Sequence, residues 1–147
     1  MIIHQVSFNN GEIRGAVDLL KRVDIPSRLG PFSYIPIECK LASNINIKFI
    51  IQALCYCELL IESMGNRPKT FELYLGGGSF EYFNVDKYWA WYQFKKNEYK
   101  SFLRNFNPNE EPEDIPGDHS NWTEFITERL KKKRDLTVSY THLRAHE

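Results

Sequence analysis

Tyr34-Ile35-Pro36-Ile37-Glu38-Cys39-Lys40-Leu41 sets a Glu-x-Lys pair inside an apolar run of strand length. Side chains alternate across a strand, so Glu38 and Lys40 share one face while Cys39 points to the other. Upstream, Gly15-Ala16-Val17-Asp18-Leu19-Leu20 is a second apolar run and carries one acid, Asp18. It reads as a neighbouring strand. Downstream, Gln52 and Tyr56 lie one helical turn apart on a predicted helix, so both can reach one cleft. Two acids and a lysine are expected to converge there.

Working outward, Ile2 to Phe8 reads as a strand, Asn9-Asn10-Gly11-Glu12 as a hairpin turn, and Ile13 to Val23 as the returning strand. Asp24 to Pro31 is a loop. The third strand runs from Phe32 to Leu41, and Ser33, Tyr34 and Pro36 predict that it becomes regular only near Ile35, since proline is confined to edges or strand starts. A helix follows from about Ile47 to Met64, with Asn44 or Asn46 as candidate caps and Gly65 just past its end. Its apolar residues leave little polar surface, so it should be largely buried.

Thr70 to Leu75 and Ser79 to Val85 form a second hairpin around Gly76-Gly77-Gly78. No Lys-Ser/Thr and no helix follow the glycines, so a hairpin turn is a far better reading than a P-loop. A second helix from about Asp86 to Phe106 is rich in Trp89, Trp91, Tyr92, Phe94, Tyr99 and Phe102. Residues 107–121 read as an acidic, proline-bearing linker, and a short helix runs from about Trp122 to Arg134 within residues 122–137. The order predicts an α/β fold, a mixed sheet flanked by helices, with its core in residues 1–106.

The ten residues Val138-Ser139-Tyr140-Thr141-His142-Leu143-Arg144-Ala145-His146-Glu147 match one reading frame of a common transposase sequencing adapter. They are expected to be translated library sequence, and the chain a fragment cut near Thr137.

The 147 residues are 42% hydrophobic and 26% charged, ordinary for one globular domain, and no apolar run approaches the length of a membrane span. A cytoplasmic location is the expectation. Formal charge is zero, and leaving out the last ten residues, with one Arg and one Glu, keeps it zero. A bulk polyanion-binding surface is therefore not evident, and any nucleic-acid contact must be a local groove aided by metal. The run Lys131-Lys132-Lys133-Arg134 reads as a solvated helix face. Cys39, Cys55 and Cys57 read as reduced packing residues, and the latter two are a poor metal pair.

Phosphodiester hydrolysis needs a nucleophilic water, neutralisation of phosphate charge and in-line geometry, which one or two Mg²⁺ or Mn²⁺ ions can supply. Magnesium accepts one or two carboxylates and keeps waters, so Asp18 and Glu38 are candidate ligands, with a backbone carbonyl near Cys39 as a further oxygen. Lys40 is placed to orient water or stabilise developing charge. Gln52 and Tyr56 would position substrate or brace Lys40. Singly, each has a plainer reading: Glu-x-Lys as a solvent-facing pair, Asp18 as an edge or turn acid, Gln52 and Tyr56 as satisfied core polars.

As an ordered set, the pattern resembles the RecB-type branch of the PD-(D/E)XK nuclease superfamily, and more closely a family of predicted RecB-like nucleases. Gly15-Ala16-Val17-Asp18-Leu19-Leu20, Ser27-Arg28-Leu29-Gly30, Tyr34 to Ala42 and Gln52 to Leu60 carry the likeness, which extends over roughly residues 11 to 106. The resemblance implies a restriction-endonuclease-like core that cleaves DNA, with Asp18, Glu38, Lys40, Gln52 and Tyr56 catalytic and Mg²⁺ or Mn²⁺ as cofactor. It implies a role in DNA repair and a fused or associated helicase-type domain in the full-length protein. Val17 precedes the aspartate where the family has proline or alanine, and Glu38 replaces the more usual aspartate.

Many relatives carry a cysteine cluster after the core. No cysteine follows Cys57, so no iron–sulfur cluster is expected. Two other readings stand beside the nuclease: an inactive nucleic-acid-binding or scaffolding module of the same fold, and a plain α/β domain whose aromatic helix forms a protein interface. Burial of the aromatics separates the last from the others.

Overall fold

The computed structural model describes residues 1–110, 117 and 119–133. The chain divides into two compact units, Met1–Arg104 and Asn105–Glu147. The first contains β1 (Ile2–Asn9), β2 (Arg14–Val23), β3 (Ser33–Lys40), α1 (Ile47–Met64), β4 (Thr70–Leu75), β5 (Phe80–Asn84) and α2 (Asp86–Asn105, whose last residue falls past the division). The strands form one mixed sheet in the order β1-β2-β3-β4-β5. Every neighbouring pair is antiparallel except β3 with β4, and α1 makes the crossover that a parallel pair requires.

Local chemistry explains the boundaries. The side chains of Asn9 and Asn10 accept the amides of Gly11, Glu12 and Ile13, which closes the β1–β2 turn. Asn46 caps α1 by accepting from Lys48 N, and Gly65 ends it at φ 74°, its amide donating to the Ile61 carbonyl. Both ends of α1 fall where the sequence places them.

The third strand departs from expectation. It is regular from Ser33, with Pro36 fully buried within it. The reason is that the ladder to β4 begins only at Ile37↔Glu72, so at Pro36 the strand has a ladder partner on its β2 side alone, Leu20. Proline is tolerated where a strand is locally an edge.

Two apolar clusters seat α1 on the sheet. Ile50, Ala53, Leu54 and Cys57 pack with Phe71, Leu73 and Leu75 of β4, Val85 and Tyr92. Tyr56, Leu59, Leu60 and Met64 pack with Val17, Leu20 and Tyr34. The helix is therefore buried along two sides, as its composition predicts. Because Tyr92 joins the first cluster, α2 packs beside α1 on the same side of the sheet. Of the aromatics of α2, Tyr92 is buried, Tyr88, Trp89 and Trp91 are partly buried, and Phe94, Tyr99 and Phe102 are exposed. Core and surface share that helix.

In the second unit a 3₁₀ turn (Ser120–Trp122) leads into α3 (Thr123–Lys132), one residue later than the predicted start. The His119 amide donates to Thr123 Oγ1 at 2.8 Å, which ties the turn to the first residue of α3. Lys131, Lys132 and Lys133 are exposed, as expected of a solvated face. Arg134 and the adapter-like residues 138–147 lie outside the described residues, as do residues 111–116 and 118 of the predicted linker. No helix among the described residues is long and apolar enough to cross a membrane.

Candidate active site

Glu38 is the last of six consecutive buried residues of β3 and is only 3% exposed. Its Oε1 accepts two hydrogen bonds, from Lys40 Nζ at 2.8 Å and from Gln52 Nε2 at 2.9 Å. Its Oε2 is buried with no partner. Lys40 Nζ also donates to Gln52 Oε1 at 2.8 Å, and Gln52 Nε2 donates to Tyr56 Oη at 2.8 Å. Gln52 thus uses its carbonyl and amide at once to join Lys40, Glu38 and Tyr56. It braces the lysine directly, one of the two roles the sequence suggested.

Asp18 reaches the same place from β2. The β2–β3 ladder ends at Leu19↔Ile37, and one step further in that register puts Asp18 opposite Glu38. Instead of a backbone pair, Asp18 Oδ2 accepts the Cys39 amide at 2.9 Å. The carboxylate takes over a donor that the ladder has released. All five predicted side chains, Asp18, Glu38, Lys40, Gln52 and Tyr56, are brought together.

Electrostatics at this cluster are unbalanced. Burial pushes the Glu38 carboxyl above its usual range; the hydrogen bond and charge of Lys40 pull the other way, and the nearby Asp18 carboxylate adds to the rise. Burial likewise raises the Tyr56 hydroxyl, with the two carboxylates contributing and the Gln52 hydrogen bond opposing. Lys40 is held further by the Phe49 ring, 5.3 Å from Nζ to centroid. One lysine therefore faces two acids in a poorly solvated corner. Added positive charge would relieve it.

Three features were not legible in the sequence. Cys39 is exposed and is not a packing residue, because it lies past the point where β2 leaves β3. Cys57 is buried in the core as expected, and Cys55 is partly buried beside Tyr92. Gly15 matters for its missing side chain: a Cβ there would lie 2.9 Å from Tyr56 Cε1, so glycine lets the tyrosine ring rest against β2. A cavity of about 300 Å³ opens beside Lys40, lined by Cys39, Lys40, Leu41, Tyr74, Leu75 and Gly76.

Among the described residues no group of three or more His, Cys, Asp or Glu side chains is placed to hold a metal ion. Any cation here would rest on Asp18 and Glu38, with other oxygens completing its shell. Neither a known family pattern nor a curated protein matches this chain.

Proposed function

We propose that the chain is a metal-dependent nuclease that hydrolyses DNA phosphodiester bonds on a restriction-endonuclease-like core of RecB type. The observation that carries this reading is Glu38 Oε2, a buried carboxylate oxygen with no partner, next to a second carboxylate. Leaving such a group unsatisfied is costly unless something fills the gap. A divalent cation held by Asp18 and Glu38 would offset the charge of both carboxylates.

Asp18, Glu38 and the Cys39 carbonyl would hold Mg²⁺ or Mn²⁺. When bound, such an ion would supply charge neutralisation at the phosphate and a more acidic water. Lys40 uses two of its three N–H groups on Glu38 and Gln52, and the third can be turned to a phosphate oxygen as charge builds in the transition state. Gln52 fixes that ammonium by accepting from it and by donating to the same Glu38 oxygen. Tyr56, as an acceptor from Gln52, keeps its own proton for a further acceptor. The parallel β3–α1–β4 unit supports the reading, since it delivers Glu-x-Lys and Gln-x-x-x-Tyr to one corner.

Calorimetric titration with Mn²⁺ tests the assignment. The parent should bind, and Asp18→Ala and Glu38→Ala should each lose most of that affinity. If both variants bind as the parent does, the site lies elsewhere.

A further inference from the structure

The two strands beside the site do not alternate regularly. In β2, Gly15 faces the Tyr56 ring and Val17 lies in the cluster with Tyr56 and Leu60. Leu20, three residues after Val17, lies in that same cluster. Strict alternation puts residues three apart on opposite faces. β1 repeats the anomaly: Ile3 and Val6, opposite Leu20 and Val17, both pack against this cluster. Both strands change phase in one step.

The register locates that step. Pairs His4↔Leu19 and Val6↔Val17 put Gln5 opposite Asp18, and this one pair is missing from an otherwise continuous stretch of ladder. Gln5 has φ 46°; apart from Ser120, no other non-glycine among the described residues has positive φ. No residue of β2 does. Within the two strands, left-handed backbone thus occurs at Gln5 alone.

The phase change has a consequence for the site. Antiparallel partners share a face, and Leu20 pairs with Pro36, which lies two residues from Glu38 on its face. Asp18 is in phase with Leu20 and therefore shares Glu38's face. Had β2 kept the phase of Gly15 and Val17, Asp18 would lie on the far side of the sheet. The acid would be cut off from its partner.

We infer that Gln5 is a positioning residue: its left-handed backbone reverses the phase of the hairpin and so delivers Asp18 to Glu38. Left-handed backbone is unfavourable for residues with a Cβ, and worst for β-branched ones, so it persists only where the surrounding structure imposes it. Gln5 is exposed, so replacing its side chain removes no core packing. The inference rests on the proposed function only in giving Asp18 a role.

The test uses Gln5→Gly, which keeps left-handed backbone readily, and Gln5→Val, which resists it. The first readout is hydrogen exchange of the Cys39 amide in metal-free protein, because that amide is bonded to Asp18. Exchange in Gln5→Val should be roughly tenfold faster or more, approaching that in Asp18→Ala, while Gln5→Gly matches the parent and the amides of Leu54 and Leu73 are unchanged in all. Mn²⁺ affinity should follow the same order. If Gln5→Val does not fold, Gln5→Ala takes its place, with a smaller acceleration in the same direction.

Parent-like Cys39 exchange in a folded Gln5→Val or Gln5→Ala would overturn the inference, as would acceleration in Gln5→Gly equal to that in Gln5→Val. A parent that binds no Mn²⁺ would refute the nuclease reading alone. Cys39 exchange would still decide the role of Gln5.

Discussion

Replacing Glu38 by glutamine should leave the metal-free protein at least as stable and abolish its response to metal. The carboxamide keeps an oxygen for Lys40 and Gln52, which now meet Glu38 Oε1 at 2.8 and 2.9 Å. Its amide takes the place of Oε2, the buried oxygen with no partner, and presents a donor to the neighbouring Asp18 carboxylate. Removing an unsatisfied charged oxygen is worth about 1–3 kcal/mol. Weakening the bond to Lys40, from ionic to charge–neutral, gives back about 1 kcal/mol. The net expectation is between no change and a gain of about 2 kcal/mol.

Urea denaturation at neutral pH in chelator measures this directly, provided the slope m is the same for both proteins. Repeating it with Mn²⁺ at about one hundred times its Kd should stabilise the parent by about 2.7 kcal/mol and leave Glu38→Gln unmoved. A loss of more than about 2 kcal/mol in chelator would refute the reasoning, because it would make Glu38 a structural partner of Lys40. A metal response equal to the parent's would refute it independently.

Gln52→Leu removes one acceptor from Lys40 and one donor each from Glu38 and Tyr56; it should cost about 3 kcal/mol in urea denaturation, and a loss under about 1 kcal/mol would show the network to be loosely held. On the opposite face, Lys21 pairs at 2.9 Å with Glu72, whose side chain is 4% exposed. The Glu72 hydrogen bond raises the Lys21 pKa above its ordinary 10.5, with burial opposing. A base with raised folded pKa contributes stability fully below its unfolded pKa and loses it as pH rises through the folded value. Lys21→Met should therefore destabilise by about 1–2 kcal/mol at neutral pH, after allowance for solvent screening, and should lack the part of the parent's alkaline loss that lies above pH 10.5. Equal alkaline losses in the two proteins would count against this pairing.

The parts of the fold written in local chemistry were readable. Asn46 and Gly65 set the ends of α1, and paired asparagines closed the first turn, because caps and turns depend on residues close in sequence. Pro36 misled because its tolerance depends on where a non-local neighbour, β4, begins. The five candidate residues do come together, yet simple alternation from Val17 would have sent Asp18 to the far face. Nothing in Gln5 signals left-handed backbone as Gly, Asn or Asp would. The orphaned Oε2 of Glu38 was equally hidden, since spacing gives a residue's face and not the partner of each oxygen. Cys39 escaped for a related reason: its exposure follows from the parting of β2 and β3, a tertiary event.

The most direct test is cleavage of single- and double-stranded DNA by the purified chain, with Mg²⁺ or Mn²⁺ and with chelator, and with Lys40→Ala alongside. The account predicts cleavage that requires the metal and falls by roughly a hundredfold or more in Lys40→Ala, the scale on which one transition-state donor acts. Absence of cleavage by folded, metal-bound protein, or cleavage that Lys40→Ala leaves intact, would contradict it.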